Sequence, residues 1–479
     1  MPDDNVSRHG RNEPGEVAID WEEIERWDRA YYLHNVQAQD SYVFTGVEYV
    51  EGNYLHLANG GKLLDFQSQL ISDSLGHRHP RIHAEIQKAM GRYGHVFFGM
   101  ATDYRARAAK LIIEDILGGE DGWAGRLRIL SSGTEAVECA MTMARLYTGR
   151  PIVLTQVHSY HGMIPGATQL RGYRSNLTPS DDLNVVRDVP GFPGGGYMPI
   201  PAPEFPDWKS TGRLPSIEFT EQIIRATGPG NIAAIITEPM FGAGGYMPHP
   251  EYMPQIRDLC TKYDLLWIDD EVMCGFGRLG EWFAYDLYRD QRPGGIAPDL
   301  MAVGKGINGS ALPVGGVVAN KEVGEFFDRA RWWSGSTHDA HPLVCASIVG
   351  ALETMIEEDM ISRVKTLGAY AADHLIRLEE KHPCVGLVTG DGLYYAVDLV
   401  DGDGAPIVSE DRFTAFTGDL SKQPNSIVSA ECAARGVFLG GFVPNTIKVA
   451  PPFTITEAEI DTGMAAFDAA LDAIDKAYC

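Results

Sequence analysis

Between Leu265 and Lys305 two short apolar runs each end in charge. Leu265-Leu266-Trp267-Ile268 runs into Asp269-Asp270-Glu271, and further on Leu300-Met301-Ala302-Val303 runs into Gly304-Lys305-Gly306. An apolar run bounded by polar residues reads as a strand of a parallel sheet buried on both faces. In an open α/β sheet, ligands bind beyond the carboxyl ends of the strands, so Asp270 and Lys305 would face one crevice. An acid and an amine at neighbouring strand ends are the pair that pyridoxal phosphate chemistry needs: the lysine for the Schiff base, the acid for the pyridinium nitrogen. Each half also has an ordinary reading. Asp-Asp-Glu can be a solvated strand end or a helix cap, and Gly-Lys-Gly a turn with an exposed lysine. The rest of the chain has to decide.

Strand–helix alternation surrounds this stretch and predicts a parallel, doubly wound sheet. Strands are expected at 126–130, 152–155 and 232–237, and near 314–319; helices are expected at 83–93, 103–117, 217–226 and 252–263. Before them, residues 1–16 read as a loose arm and 22–32 as a helix. Residues 42–57 alternate as a strand, and Asn59-Gly60-Gly61 reads as a hairpin turn into a strand at 62–66. After Leu130, Ser131-Ser132-Gly133-Thr134-Glu135 opens a helix with apolar spacing Ala136, Val137, Ala140, Met141 and Ala144. Its start reads equally as a phosphate-binding helix N-terminus and as an ordinary capping box. Residues 174–214 are rich in Pro and Gly and are expected to form a long loop. From about residue 346 the alternation stops. Helices are expected at 343–358, 362–382 and 457–478, and strands near 387, 394–399 and 437–439, which predicts a separate α+β domain.

Composition excludes several classes. The 479 residues are too many for one small core. Lys+Arg 40 against Asp+Glu 65 gives a net charge of −25, which argues against nucleic acid and anionic membrane surfaces as partners. Seven cysteines without close pairs make no disulfide framework. The polar, acidic start Met1-Pro2-Asp3-Asp4-Asn5 is no signal peptide, and no apolar run is long enough to span a membrane. The expectation is a reduced, cytoplasmic protein. No Gly-x-Gly-x-x-Gly follows the first strand of an α/β unit, so a dinucleotide-binding oxidoreductase is disfavoured.

Six motifs, in order, are Ser131-Ser-Gly-Thr-Glu-Ala-Val137, Tyr160-His161-Gly162, Glu238-Pro239, Asp270-Glu-Val-x-Cys-Gly-Phe-Gly-Arg278, Gly304-Lys305-Gly306 and Thr337…His341-Pro342. With them the chain resembles the class III (omega-) aminotransferases, pyridoxal phosphate enzymes of fold type I, from about Tyr42 to about Ala470. The resemblance implies a large domain with a mainly parallel seven-stranded sheet, taken as residues 71–345. A small α+β domain would comprise 346–479, with 1–70 packed beside it. It implies Lys305 as the Schiff-base lysine and Asp270 as the pyridinium partner. Ser132, Gly133 and Thr134 would hold the phosphate, and Tyr160 and Val272 would cover the two faces of the ring. His161 and Glu238 would support the cofactor site. Thr337 would reach the phosphate of a neighbouring subunit, which implies a homodimer with two shared sites, or a tetramer built on it. The amine donor and a 2-oxo acid acceptor would be the small-molecule partners.

Departures bear on the substrate. Relatives that act on ornithine or γ-aminobutyrate carry a Glu after Glu-Pro and an Arg before the C-terminal Pro-Pro; here those positions are Ala243 and Lys448. Ala243 and Cys274 resemble the omega-amino acid or amine:pyruvate branch. Leu64-Asp-Phe-Gln-Ser-Gln-Leu70 resembles taurine aminotransferases. No Arg occurs in Gly436–Phe442 to receive a carboxylate. Ile71, Phe98 and Tyr160 are expected to line the substrate side. Lys448 reads either as a receptor for an acidic tail or as a solvent-facing strand lysine. The same Lys and Asp would also serve a decarboxylase or an aminomutase of this family, so the expected transaminase has those as its alternative.

Overall fold

The computed structural model describes residues 19–34, 39, 42–164, 166, 196–205, 212–292, 295–332, 334–408, 420–441 and 443–479. The expected arm at 1–16 lies outside them, as does most of 174–214. In chain order the strands are β1 (Val47–Glu51), β2 (Tyr54–Leu57), β3 (Lys62–Asp65), β4 (Ala124–Leu130), β5 (Ile152–Gln156), β6 (Tyr197–Ile200) and β7 (Ile232–Thr237). They continue as β8 (Leu266–Asp270), β9 (Leu300–Gly304), β10 (Gly315–Asn320), β11 (Val385–Asp391), β12 (Tyr394–Leu399), β13 (Val437–Phe438) and β14 (Thr446–Val449).

The central sheet has seven strands in the order β4-β10-β9-β8-β7-β5-β6. Its run from β9 to β6 is parallel; β10 is antiparallel to both β4 and β9. Both faces are buried, so alternate residues of one strand enter different cores. Leu266 and Ile268 pack with Val137, Met141 and Ala144 of the helix Gly133–Thr148. Trp267 packs on the other face with Phe283, Tyr285 and Met301. That two-sided burial is why these strands read as unbroken apolar runs.

Two smaller antiparallel-rich sheets flank it. β1, β2 and β3 form one with β13, which runs parallel to β3 from the far end of the chain. β11, β12 and β14 form the other. Sequence expectations fail in several places, and no strand was expected at β14. The alternation over 42–57 conceals a turn at Gly52-Asn53, so it folds as β1 and β2 paired back on each other. The segment expected as a loop contains β6, which joins the sheet edge beside β5 despite Pro199. The expected helix 103–117 is α-helical over Asp103–Lys110 and continues as a π-helix, Leu111–Ile116.

Candidate active site

β8 and β9 are neighbours, with Asp270 in register with Ala302. Asp270 therefore closes β8 one strand away from Lys305, which follows the last residue of β9. Lys305 opens a short turn with φ +39, a left-handed conformation unusual for a lysine. Such strain persists where the surroundings enforce it, as they do at many reactive sites. The two side chains share a cavity of about 490 Å³ with Ser131, Ser132, Gly133, Thr134, Tyr160, His161, Glu238 and Val272. Strand-end and turn motifs far apart in sequence thus meet in one place.

The phosphate-like end is the start of the helix Gly133–Thr148. Ser132 caps it, its Oγ accepting the Glu135 N–H at 3.3 Å, while Glu135 accepts the Ser131 N–H at 2.8 Å. The capping reading is met, and the same residues line the cavity. Thr134 Oγ1 accepts the N–H groups of Met163 and Ile164, at 3.2 and 3.5 Å, which leaves its hydroxyl proton for another acceptor. Gly133 is required by packing, since a Cβ there would lie 2.7 Å from Val272 Cγ1.

At the opposite end Asp270 is held from two sides. His161 Nδ1 lies 2.6 Å from its Oδ2, and the Val272 N–H donates to its Oδ1 at 3.1 Å. The His161 ring is buried, and its Nε2 has no hydrogen-bond partner among the described residues. Glu238 is also buried. It accepts the Tyr160 N–H at 2.6 Å and the Gly242 N–H at 2.8 Å, joining two walls of the cavity. Burial pushes Glu238 up to about 7, aided by Asp270 and opposed by His161 and the two N–H groups. Burial lowers the pKa of Lys305, while Asp270 and Glu238 pull it back up. A lysine so placed holds more of its amine in the neutral, nucleophilic form.

Residues expected on the substrate side are placed differently. Tyr160 lines the cavity, but Ile71, Phe98, Lys448 and Thr337 are not among its lining residues. Ile71 is packed into an apolar cluster with Met240, Cys274, Leu279 and Tyr394. Phe98 is 42% exposed and close to Gly335, and Thr337 is exposed. Lys448 is not a solvent-facing strand lysine: it is 2% exposed in β14. Its Nζ donates to the Gly242 carbonyl, and Glu238 and Lys305 act on it electrostatically. Its burial follows from β14 pairing with β12 under the Gly242–Gly245 loop. Arg435 forms an ion pair with Glu431 at the end of a helix.

The sequence reading missed Met273, Asn308 and the segment Ser310–Val314, all of which line the cavity. Met273 lies inside a quoted motif at its unspecified position. The Gly309-Ser310 turn and Pro313 after Lys305 were the available signal. Arg278 was quoted without a role; it is buried and donates to the carbonyls of Leu393 and Pro451 and to Ser68 Oγ, stapling three chain segments behind the site.

The donor set fits pyridoxal phosphate: a capped helix N-terminus with a spare hydroxyl, an anchored carboxylate, and a buried amine around one cavity. Asn308 Oδ1 and His161 Nε2, buried without partners among the described residues, add polar atoms free to serve a polar ligand.

The family model described as aminotransferase class-III matches residues 36–471. The putrescine–pyruvate aminotransferase of Pseudomonas aeruginosa is 30% identical, covering 86% of this chain and 87% of its own. Among solved structures, an S-selective transaminase from Bacillus megaterium superposes with a TM-score of 0.90 at 39% identity, covering 96% of this chain and 99% of its own. A taurine:2-oxoglutarate aminotransferase from Bifidobacterium kashiwanohense, in complex with pyridoxal phosphate and glutamate, gives 0.84 at 26% identity, covering 97% and 100%.

Proposed function

The chain belongs to the class III aminotransferase family and is a pyridoxal phosphate-dependent transaminase; from that premise we propose that it moves amino groups from terminal amines or omega-amino acids to a 2-oxo acid such as pyruvate or 2-oxoglutarate. The observation that carries the substrate class is the wall around Gly242. Ala243 stands where a gating Glu would be, and Lys448 is engaged with a backbone carbonyl. A site with few free fixed charges cannot demand one carboxylate at one distance. The named relatives act on putrescine and taurine, both of which carry a terminal amine, and this supports the reading.

In this proposal the helix start at Ser132–Thr134 binds the phosphate through N–H groups and the Thr134 hydroxyl. Asp270, fixed by His161 and the Val272 N–H, presents a carboxylate to the ring nitrogen. Tyr160 and Val272 enclose the ring and exclude water from its faces. When bound, the cofactor supplies the electron sink and carries the amino group between the two substrates. Lys305 Nζ would take a proton from the substrate carbon as general base and, as general acid, pass it to a second carbon rather than back to the first. Burial of Lys305 keeps part of that amine neutral for the first task.

The assembly belongs to the same proposal: a homodimer with shared sites, in which Thr337 serves the partner's phosphate. Its exposure, outside the lining of its own chain's cavity, supports this. A cytoplasmic location accords with the composition, and among the described residues no helix is long and apolar enough to cross a membrane. Packing of residues 1–70 beside the C-terminal part is supported by β3 and β13 sharing a sheet, whereas the boundary drawn at 345 falls inside the helix Pro342–Glu357.

The test is kcat/KM for terminal amines of increasing length, with and without an acidic tail, against both acceptors. An apolar pocket separates one methylene by only about 1–3 kcal/mol, so neighbouring lengths should differ by no more than roughly 10- to 200-fold. Strict preference for an α-amino acid of one side-chain length would contradict the reading.

A further inference from the structure

Three consecutive acids end β8, and the site uses only the middle one. Strand alternation puts Asp269 on the Trp267 face, away from Asp270. Asp269 and Glu271 are fully buried. Their carboxyl groups lie within hydrogen-bonding reach of one another. Among the described residues, both Oδ atoms of Asp269 and Oε2 of Glu271 have no hydrogen-bond partner, whereas Glu271 Oε1 accepts the Tyr285 N–H at 3.0 Å. Among the described residues, the groups that act on them most strongly add no positive charge. Asp270 adjoins on the strand, Asp286 approaches from the turn Ala284–Gln291, and the Tyr288 hydroxyl and Cys274 thiol are buried close by. Two touching carboxylates, dehydrated and without a cation, cannot both stay ionised.

We propose that Asp269 carries a proton at neutral pH and donates it to Glu271, and that this acid–carboxylate pair positions Asp270 and Val272. One proton turns the repulsion into an O–H···O⁻ bond and gives Glu271 Oε2 its missing donor. Glu271 is then gripped by Asp269 on one oxygen and by the Tyr285 N–H on the other. Its own N–H is bonded to the Ala302 carbonyl at 2.9 Å. Glu271 lies between Asp270 and Val272 in the chain, so fixing it fixes both. Asp269 is the proton holder because no backbone donor favours its anion. Burial raises both acids, and Asp269 the further; the Tyr285 and Ala284 N–H groups and the bond from Asp269 pull Glu271 back down, so of the two Glu271 is the one that gives up its proton. The consequence for the site rests on the role proposed for Asp270, but the proton itself does not.

The experiment is infrared spectroscopy of the holoenzyme and of Asp269→Asn, with the cofactor's visible spectrum and the thermal midpoint followed against pH. The native protein should show the C=O band of a buried carboxylic acid at neutral pH, sensitive to deuterium, and Asp269→Asn should lack it. The Asn amide donates to Glu271 as the acid did, so the variant should fold and keep the native visible spectrum at pH 7. The folded state holds a proton that the unfolded chain has lost above the ordinary carboxylate range, so native stability should fall with rising pH relative to the variant until the native band itself titrates. As the native band disappears at alkaline pH the visible spectrum should change with it, and that change should be absent from Asp269→Asn. A native protein without the band at pH 7, or a folded Asp269→Asn that keeps it undiminished, overturns the proton. A band that titrates while the spectrum stays fixed overturns the positioning role. If Asp269→Asn does not fold, titration of the native band and spectrum alone decides both points.

Discussion

Lys305 and Lys448 are both buried amines near Glu238, and burial lowers the pKa of each. What separates them is the backbone and the partner. Lys305 sits at a strand end, in a strained turn, beside the anchored Asp270 and facing a cavity. Lys448 sits within β14 and spends its donor on the Gly242 carbonyl. Burial is common to both; an open face, and the lack of a hydrogen bond to its nitrogen among the described residues, set Lys305 apart. The comparison also divides the molecule into a strand-end region built for chemistry and a wall built to hold a loop in place.

The sharpest way to break this division is to remove each amine. Lys305→Ala should lose on the order of 10⁴-fold or more in kcat, the scale of a general acid–base group, while Lys448→Ala keeps measurable turnover. Comparable losses from both would erase the distinction. Next in size, Asp270→Asn should retain bound cofactor, seen by its absorbance, and lose about 10²- to 10³-fold in rate, the scale of one electrostatic stabiliser. Near-native turnover would make Asp270 a structural residue.

A smaller effect sharpens the Lys448 side. Its folded pKa of about 7 lies below an unfolded value of about 10.4. Between those values the unfolded chain binds the extra proton, so this residue makes stability rise with pH by up to about 1.4 kcal/mol per unit. Thermal midpoints of native and Lys448→Met proteins from pH 7 to 9 should diverge in that sense, the native gaining on the variant. Parallel curves would mean that Lys448 stays charged. The smallest change concerns the assembly. Mixed dimers of Lys305→Ala and Thr337→Ala chains should regain about half the native activity if Thr337 serves the partner's site, since one site then carries both defects and the other neither. No recovery in verified mixed dimers would place Thr337 in its own chain's site.

The same contrast explains what the sequence could reveal. Lys305, Asp270 and the Ser132–Thr134 turn were legible because their signals are local: an apolar run, a charge at its end, a glycine where packing admits no Cβ. Lys448 was not legible, because its burial depends on Gly242 and Glu238, which come from distant strand ends. β14 escaped notice for the same reason, having a lysine inside a four-residue strand. β6 was masked by Pro199, which the sheet tolerates at its edge. The turn at Gly52-Asn53 was hidden by an alternation that runs through both strands of its hairpin.

The central claim is that the strand-end amine, and not the buried amine of the wall, carries the cofactor. Borohydride reduction of the holoenzyme, followed by peptide mapping, measures this directly. The account predicts label on Lys305 alone. Label on Lys448, or on any other lysine with Lys305 unmodified, would contradict it.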